Sequence, residues 1–173
     1  RSTPEITALF AKLAAPDEQM HITSIQRDAP KPEIIACPSP EIYNETLLNT
    51  AHLLQAESTD SLSAIITNTQ AQAHELATLL EKASSNSPSF QDNELRAIEV
   101  VDESRTLPAN GVIVLPLDLA KGLEFDHVLI ADASETNFDS TDLARRRLYT
   151  ALSRATRDIT IISRGPLSAL LMQ

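Results

Sequence analysis

The chain has 173 residues, 42 % of them hydrophobic and only 3 % aromatic, with no Trp and a formal net charge of −10. That length suits one domain with a sizeable core, and the apolar content predicts a globular rather than a disordered chain. The acidic balance argues against a domain that grips nucleic acid tightly by itself, because neutralising phosphate supplies most of such affinity.

Residues 2–15 are predicted to be a helix. Ser2 and Glu5 have capping-box spacing, and Pro4 falls in the first turn, where its missing N–H costs little. Ile6, Leu9, Phe10 and Leu13 recur at helical spacing. A polar connector over 16–31 follows, so residues 1–31 lead into a domain expected over 32–173.

From there strands and helices alternate. A strand over 33–37 lies between prolines and contains Cys37. This lone cysteine is expected to be a small buried hydrophobe. It excludes an internal disulfide and a cysteine-rich zinc site, and it fits a reducing, cytoplasmic setting. A helix over 40–56, a buried strand over 62–67 and a helix over 70–82 come next, then a Ser- and Asn-rich stretch, 83–93, expected as a flexible loop. Strands are predicted at 95–101, 112–117 and 128–131. A helix at 139–155, a strand at 158–162 and a short helix at 166–171 close the chain.

Strands apolar on both faces, alternating with helices, predict an α/β fold with a parallel sheet flanked by helices. No apolar run approaches the roughly eighteen residues of a membrane span, and no signal peptide is expected within these residues.

Three segments carry the chemistry. Lys121-Gly122-Leu123-Glu124-Phe125-Asp126 is a glycine turn with a carboxylate, feeding an apolar strand. Gly122 lets the backbone turn tightly or approach a ligand closely. The turn follows a strand, so it is expected at the carboxyl edge of the sheet, where ligands bind in open α/β folds. Tyr149-Thr150-Ala151-Leu152-Ser153-Arg154-Ala155 ends the helix that carries Arg145, Arg146 and Arg147. With Arg154 and Arg157 these make five of the 14 basic residues. A planar, permanently charged guanidinium suits a phosphoryl group. Arg147 and Arg154 are seven residues apart and would share a helix face. The third segment is the opening Arg1-Ser2-Thr3-Pro4-Glu5-Ile6.

In this order, the three segments resemble motifs of UvrD/Rep-type superfamily 1 helicases. The resemblance implies a RecA-like second motor domain. It implies Arg154, of the Ser153-Arg154-Ala155 triplet, and Arg1 as catalytic contacts to the γ-phosphate of ATP. It implies Gly122 and Glu124, with the same arginines, as nucleotide-binding residues. Lys121 and Arg147 are the candidate nucleic-acid contacts.

The glycines are Gly111, Gly122 and Gly165, and none precedes a lysine, so the chain has no P-loop of its own. The resemblance therefore implies that an N-terminal RecA-like domain supplies the P-loop and the ligands of Mg2+. The chain opens inside a motif, so it is expected to be part of a longer ATP-dependent DNA helicase or translocase, inactive alone.

The chain departs from the family at informative places. Where UvrD and Rep read T-L-H-S-A-K-G-L-E-F, it reads Pro116-Leu117-Asp118-Leu119-Ala120-Lys121-Gly122. The Thr and His that face nucleic acid become Pro116 and Asp118, and an aspartate repels phosphate. In the segment Ile65 to His74, the family's two arginines become Asn68 and His74. The pattern is closer to the HelD and helicase IV-like branch. Partners expected on this basis are the N-terminal motor domain, single-stranded nucleic acid, chiefly DNA, and RNA polymerase in the HelD case. The alternative is a non-catalytic protein-interaction module or an RNA polymerase-associated remodelling factor. His21, His52 and His127 show no metal spacing and read as structural, as do Gln70 and Gln72. Asp102, Glu103 and Glu135 read as solvated charges.

Overall fold

A computed structural model describes residues 3–14, 31–86 and 95–172. Arg1, Ser2, the connector at 16–30 and the stretch 87–93 lie outside the described residues.

Among the described residues, six strands form one all-parallel sheet: β1 (Glu33–Cys37), β2 (Leu62–Thr67), β3 (Ala97–Glu99), β4 (Gly111–Pro116), β5 (Phe125–Ile130) and β6 (Ala155–Arg164), in the order β1-β6-β5-β2-β4-β3. The helices are α1 (Pro4–Ala11), α2 (Pro40–Ala56), α3 (Gln70–Asn86), the single turn α4 (Leu117–Ala120) and α5 (Asp142–Leu152). A 3-10 turn at Ala169–Leu171 ends the described chain.

The two-residue period of each strand sorts its side chains into two cores. Ala64, Ile66, Ile113, Leu115, Val128, Ile130, Ile159 and Ile161 face one side, with Ile6, Leu148, Ala151 and Leu152 from α1 and α5 packed on them. Ile65, Val112, Val114, Leu129 and Ile162 face the other, under Tyr43, Leu47 and Ala51 of α2 and Ala73, Leu76 and Leu80 of α3. Central strands apolar on both faces are thus buried from both sides, as a parallel sheet requires.

Local chemistry explains where several boundaries differ from the sequence expectation. Helix α3 runs on to Asn86, so 83–86 is helix, not loop. Ser85 Oγ donates back to Glu81 O at 3.0 Å and Ser84 Oγ to Leu95 O at 3.1 Å, so these hydroxyls bond helix and neighbour rather than competing with the helix.

Helix α5 starts later than 139. Asp139 Oδ1 accepts from Thr141 N at 3.2 Å, and Thr141 Oγ1 caps the helix by accepting from Ala144 N at 3.2 Å. It also stops earlier, with Ser153 as its C-cap, so Arg154 lies beyond the helix and Ala155 opens β6. At the other end of the chain, the N–H of Ile6 is met by Thr3 Oγ1 at 3.4 Å, one residue after the expected cap. The strand predicted at 95–101 shortens to three residues, and Leu117 leaves β4 to begin the α4 turn.

Candidate functional site

The parallel register separates the sequence motifs into two groups. His127 of β5 is level with Ser63 of β2, which is level with Val112 of β4. Phe125, two residues before His127, therefore lies at the amino edge of the sheet. Gly122, Glu124 and Arg154, which precede β5 and β6, are at that amino edge, not at the carboxyl edge that the strand-turn reading suggested. Turn α4 and its exit carry the chain back along the sheet from one edge to the other, which is why the motif spans both. Asp118 remains at the carboxyl end of β4, beside Asn68 at the end of β2.

At the amino edge the two motifs meet. Arg154 O accepts from Phe125 N at 2.8 Å, extending the β5–β6 ladder by one bond. The Arg154 side chain folds back over the same junction. Its Nη1 donates to Leu123 O at 3.1 Å, its Nε to Thr150 O at 3.1 Å and its Nη2 to Ser153 Oγ at 3.1 Å. Three of the five N–H donors of a guanidinium are used in this way, and two remain.

Gly122 turns with φ +79, a conformation that glycine alone adopts at little cost, and it is exposed, as is Glu124. The turn thus offers an exposed carboxylate next to a partly buried, oriented arginine, a donor set that fits the sugar hydroxyl and phosphate of a nucleotide.

The carboxyl edge carries a polar network. Arg147, at the middle of α5, donates Nη2 to Asn68 O at 2.8 Å and to Asn68 Oδ1 at 3.0 Å, and Nε to Asn68 Oδ1 at 3.2 Å. Its Nη1 reaches Asp118 Oδ1 at 3.0 Å. Lys121 Nζ is 4.0 Å from the same oxygen. Asn68 and Asp118 are two of the four positions at which the sequence departs from the helicase pattern, and both close on Arg147. Arg147 and Lys121, the candidate nucleic-acid contacts, therefore share one acidic partner.

The network continues across the sheet. Gln72 Oε1 accepts from Asn68 N at 3.1 Å, Gln72 Nε2 donates to Asn137 Oδ1 at 2.9 Å, and Asn137 Nδ2 donates to Asp132 Oδ2 at 3.1 Å. Asp132 Oδ1 accepts from Arg164 N at 2.8 Å. A cleft of about 300 Å³ opens beside this row, between α2 and α3, lined in part by Tyr43, Gln72, Glu75, Asp132 and Arg164. The Arg164 guanidinium lies 4.5 Å from the centroid of the Tyr43 ring. Tyr43 Oη donates to Ala131 O at 2.7 Å, and burial, with Asp132 nearby, raises the phenol far above its ordinary pKa.

Sequence patterning gave no sign of a third cluster. His127 Nδ1 is 2.6 Å from Asp158 Oδ2 and 3.6 Å from Glu57 Oε2, and the three polar atoms lie within 4.8 Å of one another. The hydrogen bond to Asp158 raises the His127 pKa, with burial opposing it. The short hydrogen bond to Asp158, with Glu57 close by, accounts for the cluster as a buried histidine and its acidic neighbours. Glu135, expected to be merely solvated, accepts from Ala169 N at 2.8 Å and fixes the closing 3-10 turn. Among the described residues, no helix is long and apolar enough to cross a membrane.

An all-parallel sheet covered on both faces, with an arginine bound to a glycine turn across the ends of two neighbouring strands and no P-loop, is the architecture of the RecA-like second domain of a helicase motor. The crystal structure of the C-terminal domain of a possible DNA helicase from Lactobacillus plantarum WCFS1 is 30 % identical to the chain, with a TM-score of 0.72, and the match covers 99 % of this chain and 91 % of that one. The UvrD-like helicase C-terminal domain family matches over residues 111–162, the interval that holds the glycine turn, helix α5 and Arg154. The chain belongs to this family of helicase C-terminal domains.

Two fainter likenesses, each 14 % identical, are to T. fusca Cas3 with ADP, at a TM-score of 0.49, and to an arterivirus nonstructural protein 10 helicase in complex with DNA, at 0.48. They cover 83 % and 93 % of this chain but only 19 % and 32 % of the other chains. A search of curated proteins finds no match.

Proposed function

We propose that the chain is the second half of an ATP-driven nucleic-acid motor. It would supply Arg154, Gly122 and Glu124 to a nucleotide site completed by an N-terminal RecA-like domain. The observation that carries this reading is the junction at the amino edge, where Arg154 is bound to Leu123 O at 3.1 Å and so places both helicase-like motifs at one point. ATP with Mg2+ would contribute the phosphoanhydride whose cleavage drives the cycle, with the metal ligands coming from the partner domain.

The roles of this chain's residues follow from their geometry. Arg154 is held at three points, so little reorganisation is needed before its two remaining N–H donors fork onto phosphoryl oxygens. Charge that accumulates there during transfer is stabilised by the guanidinium, which is worth orders of magnitude in rate in motors of this type. Glu124 would accept a sugar hydroxyl. Arg1, in the resembling Arg1-Ser2-Thr3 segment, would add a second contact to phosphate. The carboxyl edge, with Lys121 and Arg147, would face the single strand, chiefly DNA.

A second reading, a HelD-like remodeller that acts on a protein such as RNA polymerase, is favoured by one observation: Arg147 is already committed to Asn68 and Asp118. The deciding experiment is ATP turnover of the intact parent with and without single-stranded DNA, beside its Arg154→Ala variant. Turnover that collapses in the variant while ATP still binds supports the motor. Stimulation by DNA then favours a translocase, and its absence a remodeller. Turnover untouched by the variant would overturn the arginine assignment.

A further inference from the structure

The departure at Asp118 carries an inference beyond this reading, although it rests on the carboxyl edge being the strand-facing one. Asp118 Oδ1 is 3.0 Å from Arg147 Nη1 and 4.0 Å from Lys121 Nζ. One anionic oxygen thus sits between a guanidinium and an ammonium. The two cations are unlike in their freedom. Arg147 is only 26 % exposed and is fixed through Nε and Nη2 by Asn68, whereas Lys121 is 65 % exposed. Asp118 itself is 64 % exposed and stands on the short turn α4.

An oxygen bridging an oriented Arg and a nearby Lys is what a phosphodiester would present at this place. We infer that Asp118 is a built-in phosphate mimic. It fills an anion site made by Arg147 and Lys121, and a strand phosphate enters only by displacing it. Asn68 has a separate part: where the family carries an arginine, it holds the remaining nitrogens of Arg147, so the guanidinium keeps its aim whether Asp118 or a phosphate occupies Nη1. The grip on a strand is thereby weakened without removing the residues that make it. Exposed carboxylates bind such partners only modestly, so the block is one that competing phosphate can lift.

The test is binding of a fluorescent oligo(dT) and, separately, of inorganic phosphate to the 173-residue chain and to Asp118→Ser, Asp118→Glu, Arg147→Ala and the Asp118→Ser/Arg147→Ala double variant. Thermal melting confirms that each is folded. Removing the carboxylate should tighten oligonucleotide binding roughly threefold to tenfold at low salt and steepen its salt dependence by about one phosphate. Asp118→Glu should behave as the wild type, and the double variant should lose the gain.

An unchanged affinity in Asp118→Ser, or a gain that survives loss of Arg147, would overturn the mimic. Tighter binding of inorganic phosphate without tighter binding of the oligonucleotide would overturn its assignment to a strand. Either failure is separable from the motor reading, which stands or falls on turnover in Arg154→Ala.

Discussion

Arg154 and Leu123 are joined by a 3.1 Å hydrogen bond from Nη1 to the carbonyl oxygen, while the backbone of Arg154 pairs with Phe125 at 2.8 Å. The side chain and main chain of one residue thus hold both sides of the turn that leads into β5. This double attachment separates charge from aim. Arg154→Lys keeps the charge, but an ammonium cannot bond three protein acceptors and still fork onto two oxygens. In the intact parent, ATP turnover of Arg154→Lys is therefore expected to fall close to that of Arg154→Ala, about a thousandfold below wild type, with nucleotide affinity little changed. Steady-state phosphate release and binding of a fluorescent nucleotide check the two halves of this expectation.

Gly122 has φ +79, and a Cβ added there would meet nothing within 4 Å. The cost of Gly122→Ala is therefore conformational rather than steric, about 1–2 kcal/mol for a left-handed residue. Gly122→Asn should cost less, since Asn tolerates that region better. Urea denaturation of the chain measures both, and equal midpoints for Ala and Asn would contradict a purely backbone origin.

Leu148 is 0 % exposed and sits where α5 packs on the sheet. Leu148→Ala should destabilise the chain by about 2–5 kcal/mol, the range for a large cavity in a close-packed core. Leu143, on the same helix but 68 % exposed, serves as the control. Leu143→Ala should lie within about 0.5 kcal/mol of wild type in the same denaturation series.

His127 titrates above its ordinary value because it is hydrogen-bonded to Asp158, with burial opposing and Glu57 assisting. A raised pKa means that the folded state binds the proton more tightly than the unfolded state. The contribution to stability is full below the unfolded value, about 6.5, and fades as pH rises through the folded value. Unfolding free energy should fall as pH rises above the unfolded value of about 6.5 in the wild type, and the fall should shrink in Asp158→Asn. The slope of denaturant midpoint against pH is the observable, and identical slopes would remove His127 as its source.

Much of this architecture is legible from residues alone. Runs such as Ala64-Ile65-Ile66 and Val128-Leu129-Ile130 have no polar face, and only a sheet buried on both sides accepts them. Ser39 before Pro40 marks the start of α2 with a side-chain cap and a proline at the first turn, and Ser39 Oγ accepts from Ile42 N at 3.3 Å. Periodicity does not report which edge of the sheet a turn occupies. The Gly122 segment follows one strand and precedes another, and only the strand register shows that its glycine and glutamate belong to the edge where the second begins.

Nor does sequence spacing connect Asn68, Asp118 and Arg147, which are 50 and 29 residues apart along the chain. Their meeting depends on β2 and β4 being neighbours and on α5 packing against the α4 turn that follows β4. The available signal was the loss of a family arginine and a family histidine together, at Asn68 and Asp118. The His127–Asp158 pair is invisible for the same reason, since its members belong to separate strands brought side by side.

The two outermost strands have a bearing on how the domain behaves when handled alone. β1 is five residues long between Pro32 and Pro38, with an exposed Glu33 at its start, and β3 is only three residues long. An open sheet recruits other chains through its unpaired rim, and prolines, a charge and brevity are the features that blunt such growth. Among the described residues, each edge strand offers only a short stretch of regular backbone on which a further strand could pair. Protein concentrated for binding or denaturation work should therefore remain dispersed rather than polymerise through its sheet.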